Sequence, residues 1–84
     1  MACFVYVLAS EHDGRYRTYV GWTTDLDRRL AEHNAGEGAG AKSTRGRVWG
    51  LLYAERYETR NEAMSREWHI KHDRNFRRRL DPRG

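Results

Sequence analysis

The sequence predicts an α+β sandwich, a three-stranded antiparallel sheet flanked by helices in the order β-β-α-β-α. Three observations carry that prediction. Two strings rich in β-branched and aromatic residues, "CFVYVLAS" and "YRTYVGW", flank Asp13-Gly14, the strongest short hairpin signal. A third such string, "VWGLLYAERYE", follows a long Gly-rich stretch. The last two strings each run into a polar cluster with helix-capping spacing, and helical periodicity begins there.

Taken in order, residues 3–10 form the first strand, which reads as central because both of its faces are apolar. The second strand covers residues 16–22, with Tyr16 and Thr18 on one face and Arg17 and Tyr19 on the other. Thr24 with Asp27 supplies a weak capping box, so a helix starts near residue 25. Its buried stripe is Leu26 and Leu30, and Asn34-Ala35-Gly36 stops it. Residues 36–47, "GEGAGAKSTRGR", are too long for a tight turn and read as a functional or mobile loop. The third strand is residues 48–58, where Gly50 marks a bulge or a close backbone approach. Thr59-Arg60-Asn61-Glu62 is a cleaner capping box, opening a second helix through about residue 73. A basic tail follows, with one further helical turn before Pro82.

A chain of 84 residues makes one domain, and with Cys3 as its only cysteine it has neither a disulfide nor a zinc-finger spacing to staple it. Packing must supply the stability, and three Trp, five Tyr and two Phe are suited to that. No apolar stretch approaches the ~20 residues of a membrane span, and the N-terminus lacks the pattern of a signal peptide. The expectation is a soluble cytoplasmic protein in a reducing compartment. Fourteen of the sixteen basic residues are Arg and the net charge is +4. The planar guanidinium matches phosphate oxygens two at a time, so this balance points toward phosphates and nucleic acids.

One residue of the second helix is out of place. Ala63, Ile70, Met64 and Trp68 span a single apolar arc, opposite Glu62, Ser65, His69, His72 and Asp73, and Glu67 falls inside that arc. A carboxylate facing a core is costly unless it is paired or holds a metal. Two readings stand: an ion pair with Lys71 four residues on, or a functional carboxylate. On the first helix Arg29 and His33 flank the Leu26/Leu30 seam. There Arg29 either pairs with Asp25 or serves a site, and His33 is either a boundary residue or a partner in that site. Tyr6 and Tyr19 lie on hairpin-paired strands. Tyr, Arg, His and one carboxylate, with no Ser or Cys nucleophile among them, suit hydrolysis of a phosphate ester by activated water better than acyl transfer.

Those residues, in that order and spacing, resemble the GIY-YIG nuclease domain over residues 3 to 76. Phe4-Val5-Tyr6 stands where the family has Gly-Ile-Tyr, and Tyr19-Val20-Gly21 where it has Tyr-Ile-Gly. Arg29 falls at the family's arginine, His33 at a position often occupied by His or Tyr, and Glu67 in "REWHIK" at the metal-binding glutamate. The compact form is similar to the small stand-alone bacterial members. The sequence departs from the pattern at Phe4 and at Trp22, where excision-repair members carry a lysine thought to assist the tyrosine. Asn75 matches a further polar position of the family.

The resemblance implies a GIY-YIG-like sandwich over residues 1–76 with a basic tail at 77–84. It further implies a metal-dependent endonuclease acting on DNA, with Tyr6, Tyr19, Arg29, His33 and Glu67 catalytic. Glu67 would hold one Mg²⁺ or Mn²⁺, and either tyrosine would act on the water. Lys42, Arg45, Arg47, Arg74 and Arg77 are candidates for phosphate contacts. With no recognition domain, the expected substrates are branched, flap or single-strand-junction DNA, or a protein partner supplies the recognition. The competing expectations are a non-catalytic nucleic-acid-binding module of the same fold and a purely structural or protein-binding domain.

Overall fold

The computed structural model describes residues 2–36 and 46–82. Strand β1 (Cys3–His12) and strand β2 (Arg15–Thr23) form a hairpin, helix α1 (Leu26–Ala35) follows, and β3 (Gly50–Tyr57) completes the sheet. Helices α2 (Arg60–Lys71) and α3 (Arg74–Leu80) close the described chain. The sheet is antiparallel in the order β2-β1-β3, so the expected sandwich is observed with one helix more than expected.

Local chemistry accounts for the elements. Asp13 and Gly14 both take positive φ, 53° and 75°, as the two central residues of a type I′ turn require. The cap of α1 is Asp25, not Thr24: its carboxylate accepts from the Arg28 amide at 3.1 Å, and the Thr23 hydroxyl accepts from the Asp25 amide. Gly36 ends α1 in the left-handed conformation. The Thr59–Glu62 capping box forms as read from the sequence.

Gly50 marks neither a bulge nor a close approach, since a Cβ there would meet nothing within 4 Å. The register breaks further on. Val7 pairs with Tyr53 while Leu8 pairs with Leu51, which leaves Leu52 as the extra residue of a bulge. The tail carries more than one helical turn. Helix α3 runs across residue 76 to Leu80, capped by Asp73, and both Phe76 and Leu80 pack against the core.

Central β1 is buried on both faces, and its alternation makes two cores. Cys3, Val5 and Val7 join Val20, Ala63 and Ile70 on the side covered by α2 and α3. Tyr6 and Leu8 join Trp49, Tyr19, Leu26 and Leu30 on the side covered by α1. Among the described residues, no helix is long and apolar enough to cross a membrane.

The packing of α2 departs from the apolar arc. Its buried or half-buried residues are Ala63, Arg66, Glu67 and Ile70, the i, i+3, i+4, i+7 set of a single helix face. Met64 and Trp68, expected in the core, are exposed. The centre of the inward face is therefore polar. Arg66 fills its half by a two-pronged ion pair to Glu55, at 2.8 and 3.1 Å. Glu67 fills the other half.

Candidate active site

Because β2 is an edge strand, residues on both of its faces can reach one cleft. Tyr6, Tyr19, Gly21, Trp22, Thr23, Thr24, Arg29 and Glu67 line an open cleft of about 330 Å³ there, between α1 on one face and α2 on the other. Four of the five expected site residues are thus brought to one surface. The fifth, His33, sits behind them.

Tyr6 and Gly21 are register partners across the hairpin, and the pairing fixes the floor of the cleft. A Cβ on Gly21 would lie 2.5 Å from the Tyr6 hydroxyl oxygen, 2.7 Å from Tyr6 Cζ and 3.1 Å from Tyr19 Cε1. Only glycine lets the Tyr6 hydroxyl occupy that place. The strand runs one residue past the expected 22, to Thr23, which pairs with Phe4.

His33 is 1% exposed, and its Nε2 lies 2.9 Å from the Tyr6 hydroxyl. Its ring also packs against Tyr19, with centroids 4.6 Å apart. Burial drives the Tyr6 phenol well above its ordinary pKa, and the neighbouring Tyr19 adds to this. Arg29 opposes that rise, while Glu67 and Glu32 reinforce it. Tyr19 is raised by burial and by Glu67, with Arg29 again opposing. His33 is lowered by burial and then by Arg29, with Glu32 acting the other way. Both phenols and the imidazole are therefore neutral at pH 7, and the Tyr6 hydroxyl and His33 Nε2 share one hydrogen bond.

The Glu67 ion pair forms, with Lys71 Nζ 3.8 Å from its carboxylate, and Glu67 also lines the cleft. Arg29 pairs with Glu32 at 3.6 Å, not with Asp25, whose carboxylate caps α1 instead. Glu32, absent from the sequence reading, also receives Arg28. Its i+3 and i+4 spacing from those two arginines was the available signal.

The expected phosphate-binding cations are scattered. Lys42 and Arg45 lie outside the described residues. Arg47 is turned inward, its Nε donating to the Ser10 hydroxyl and its Nη2 to the carbonyls of Ser10 and Arg15. Arg77 donates to the Lys71 carbonyl and, with Arg74 and Arg78, lines a separate groove beside Tyr16 and Thr18. Asn75 faces the groove around Trp68 and is not among the residues of the cleft.

Among the described residues, no three His, Cys, Asp or Glu side chains gather to cage a metal ion. A lone carboxylate beside an open cleft still fits a hard divalent ion that keeps several waters and takes its other ligands from phosphate oxygens.

Comparison with known proteins gives the family of the chain. The family model described as the GIY-YIG catalytic domain matches residues 2–80. A UPF0213 protein of Halobacterium salinarum is 52% identical over 68 residues, covering 80% of this chain and 82% of its own. One from Natronomonas pharaonis is 46% identical over 69 residues, 81% of this chain and 75% of its own. The solution NMR structure of a UPF0213 protein from Bacillus halodurans superposes with a TM-score of 0.50 at 38% identity, over 95% of this chain and 82% of that one. GIY-YIG nucleases generally use divalent metal ions. The chain belongs to the GIY-YIG catalytic-domain family, a nuclease family, together with the UPF0213 proteins.

Proposed function

We propose that the protein is a metal-dependent endonuclease that hydrolyses DNA phosphodiester bonds with selectivity for structure over sequence. The observation that carries this reading is the convergence of Tyr6, Tyr19, Arg29 and Glu67 on one solvent-open cleft, with His33 hydrogen-bonded behind Tyr6.

In this reading Arg29 grips the scissile phosphate and offsets the charge that grows on it, as a forked donor can. Tyr6 is the base. In the His33 tautomer that leaves Nε2 unprotonated, the Tyr6 O–H donates to that nitrogen across 2.9 Å, and its oxygen takes a proton from the attacking water while its own proton passes to the imidazole. This relay avoids a free phenolate, which the burial of Tyr6 disfavours. Tyr19 shapes the wall against which the water is held. The new P–O bond comes from water, the P–O3′ bond breaks, and the products are a 5′-phosphate and a 3′-hydroxyl. Glu67 would hold Mg²⁺ or Mn²⁺, which supplies Lewis-acid stabilisation of the phosphate and the leaving oxygen.

The test uses labelled single-stranded, duplex, flap and four-way-junction DNA, with Mn²⁺, Mg²⁺ or EDTA. Metal-dependent cleavage that disappears in Glu67→Ala, with DNA affinity nearly unchanged, is the expected result. Binding of the panel without cleavage in either metal replaces this reading with the non-catalytic binding module. Absence of binding at low salt sinks both.

A further inference from the structure

Trp68 is 57% exposed and is not among the residues packed against either core. Its indole is nonetheless held in place. It stacks on His72 one helical turn away, with ring centroids 4.1 Å apart and planes 24° from parallel, and His69 meets it edge-on at 5.2 Å. His72 is fixed in turn, because its Nδ1 lies 2.7 Å from the Trp68 carbonyl oxygen. A carbonyl only accepts, so that nitrogen carries the proton. The rings line a groove with Arg66, Asp73, Arg74 and Asn75. Arg66 is engaged by Glu55, whereas Arg74 makes no hydrogen bond or ion pair with the described residues.

We propose that the Trp68–His72 stack is a platform for an unpaired nucleobase, with Arg74 taking a phosphate of the same strand. The inference rests on the reading that the neighbouring cleft handles a nucleic-acid phosphate. Trp68 directly follows Glu67 on α2, so a strand leaving the cleft across that helix meets the indole within a few nucleotides. Every base has a π-face, so an aromatic platform accepts any sequence but requires an unstacked base. A blunt duplex offers none. The platform therefore selects single strands, flaps and junctions by shape, which is the recognition that the cleft alone does not supply. A charged protein or lipid surface would engage Arg74 but gain little from a flat, preset pair of rings.

Binding in EDTA is read by fluorescence anisotropy with oligothymidylate, a blunt duplex, and the same duplex carrying a single-stranded flap. Trp68→Ala should weaken oligothymidylate and flap binding by roughly 5- to 150-fold and leave the blunt duplex unchanged, and Trp68→Phe should restore most of the loss. Oligothymidylate should also quench indole emission in the native protein, and Trp68→Phe should lose most of that quenching, leaving what Trp22 in the cleft supplies. Equal losses on all three substrates, or no loss on any, overturn the proposal. So does a Trp68→Ala variant whose only change is lost self-association in sedimentation, which assigns the rings to a second copy of the chain. Cleavage assayed in parallel with Mn²⁺ separates the two readings. Unchanged binding with intact cleavage sinks the platform alone, and normal stacking without cleavage sinks the hydrolase alone.

Discussion

The two faces of β1 are built from opposite materials. On the α2/α3 side Val5, Val7, Val20, Ala63 and Ile70 are all aliphatic and at most 5% exposed. On the α1 side the buried residues include Tyr6 and His33, whose polar tips meet, with Tyr19 against them. The buried side chains of the first face only remove apolar area from water, while α2 above them carries Glu67 to the rim of the cleft. The second gives up part of that gain to keep a phenol and an imidazole dry, neutral and aligned. Along β1 itself, residue parity thus separates the aliphatic packing from the tyrosine–histidine pair, because successive side chains point to opposite faces.

Substitutions can break that division, and Gly21→Ala should do so most severely. The added methyl collides with the Tyr6 ring and hydroxyl, so Tyr6 must leave its place. Overpacking of this kind costs ~1–3 kcal/mol, and cleavage should fall to background. Denaturant melts and a flap-cleavage assay read the two effects together. A variant that keeps full cleavage would show that Tyr6 need not sit against Gly21.

Tyr6→Phe should affect chemistry with little effect on the fold. Removing an acid–base group costs ~10²–10⁴-fold in rate, whereas removing the Tyr6 half of the buried hydrogen bond to His33 costs ~1–3 kcal/mol. Single-turnover cleavage against thermal midpoint distinguishes the two. A Tyr6→Phe enzyme of normal rate would move the base to Tyr19.

Ile70→Ala is the converse on the aliphatic face. It should lower stability by ~2–5 kcal/mol and leave the cleavage rate per folded molecule unaltered below the midpoint. A slowed rate in the folded state would mean that α2 transmits its packing to Glu67, and the division between faces would not be clean.

Acid should separate the faces by pH. Glu55 is held at about 2, chiefly by the Arg66 ion pair and also by the Tyr53 and Tyr57 hydroxyls, while burial acts against this. A depressed carboxylate pKa stabilises the fold above the ordinary carboxylate range, and that stability is lost as pH falls from about 4.5 toward about 2. Glu55→Gln should flatten the stability curve in that window.

His33 is also lowered in the folded state, so the unfolded chain binds its proton first. Stability should be full above the ordinary histidine value of ~6.5 and decline as pH falls below it. The cleavage rate should decline in the same direction, because only neutral His33 can take the Tyr6 proton. His33→Gln should remove the decline in stability above the carboxylate window. Chemical denaturation across pH 5–7 measures this smallest effect.

Much of the site was legible because the family motif is an ordered set of local strings. The hairpin turn, the α2 capping box and the terminator of α1 depend on residues within a few positions of one another, and they form as read. The bulge at Leu52 was hidden because it depends on a cross-strand register that no local residue announces. The partners of Arg47 were hidden in the same way. Ser10 and Arg15 stand 37 and 32 residues away, and only the folded hairpin brings their carbonyls to the Arg47 guanidinium.

Helix α2 marks the boundary between what each level of description decided. From the sequence alone came the α+β sheet order, the family, and the oddity of a carboxylate among apolar neighbours. Tertiary structure decided that the buried face of α2 runs through Arg66 and Glu67, with Met64 and Trp68 left to solvent. Helical periodicity says which residues share a face, but it does not say which face turns inward when an apolar arc has a polar centre. Here a half-buried Glu55 waiting for Arg66 and an open cleft at the sheet edge admitted the polar residues. Desolvating a charge is tolerable only where a partner or water is already in place, and the position of those partners is a property of the whole fold.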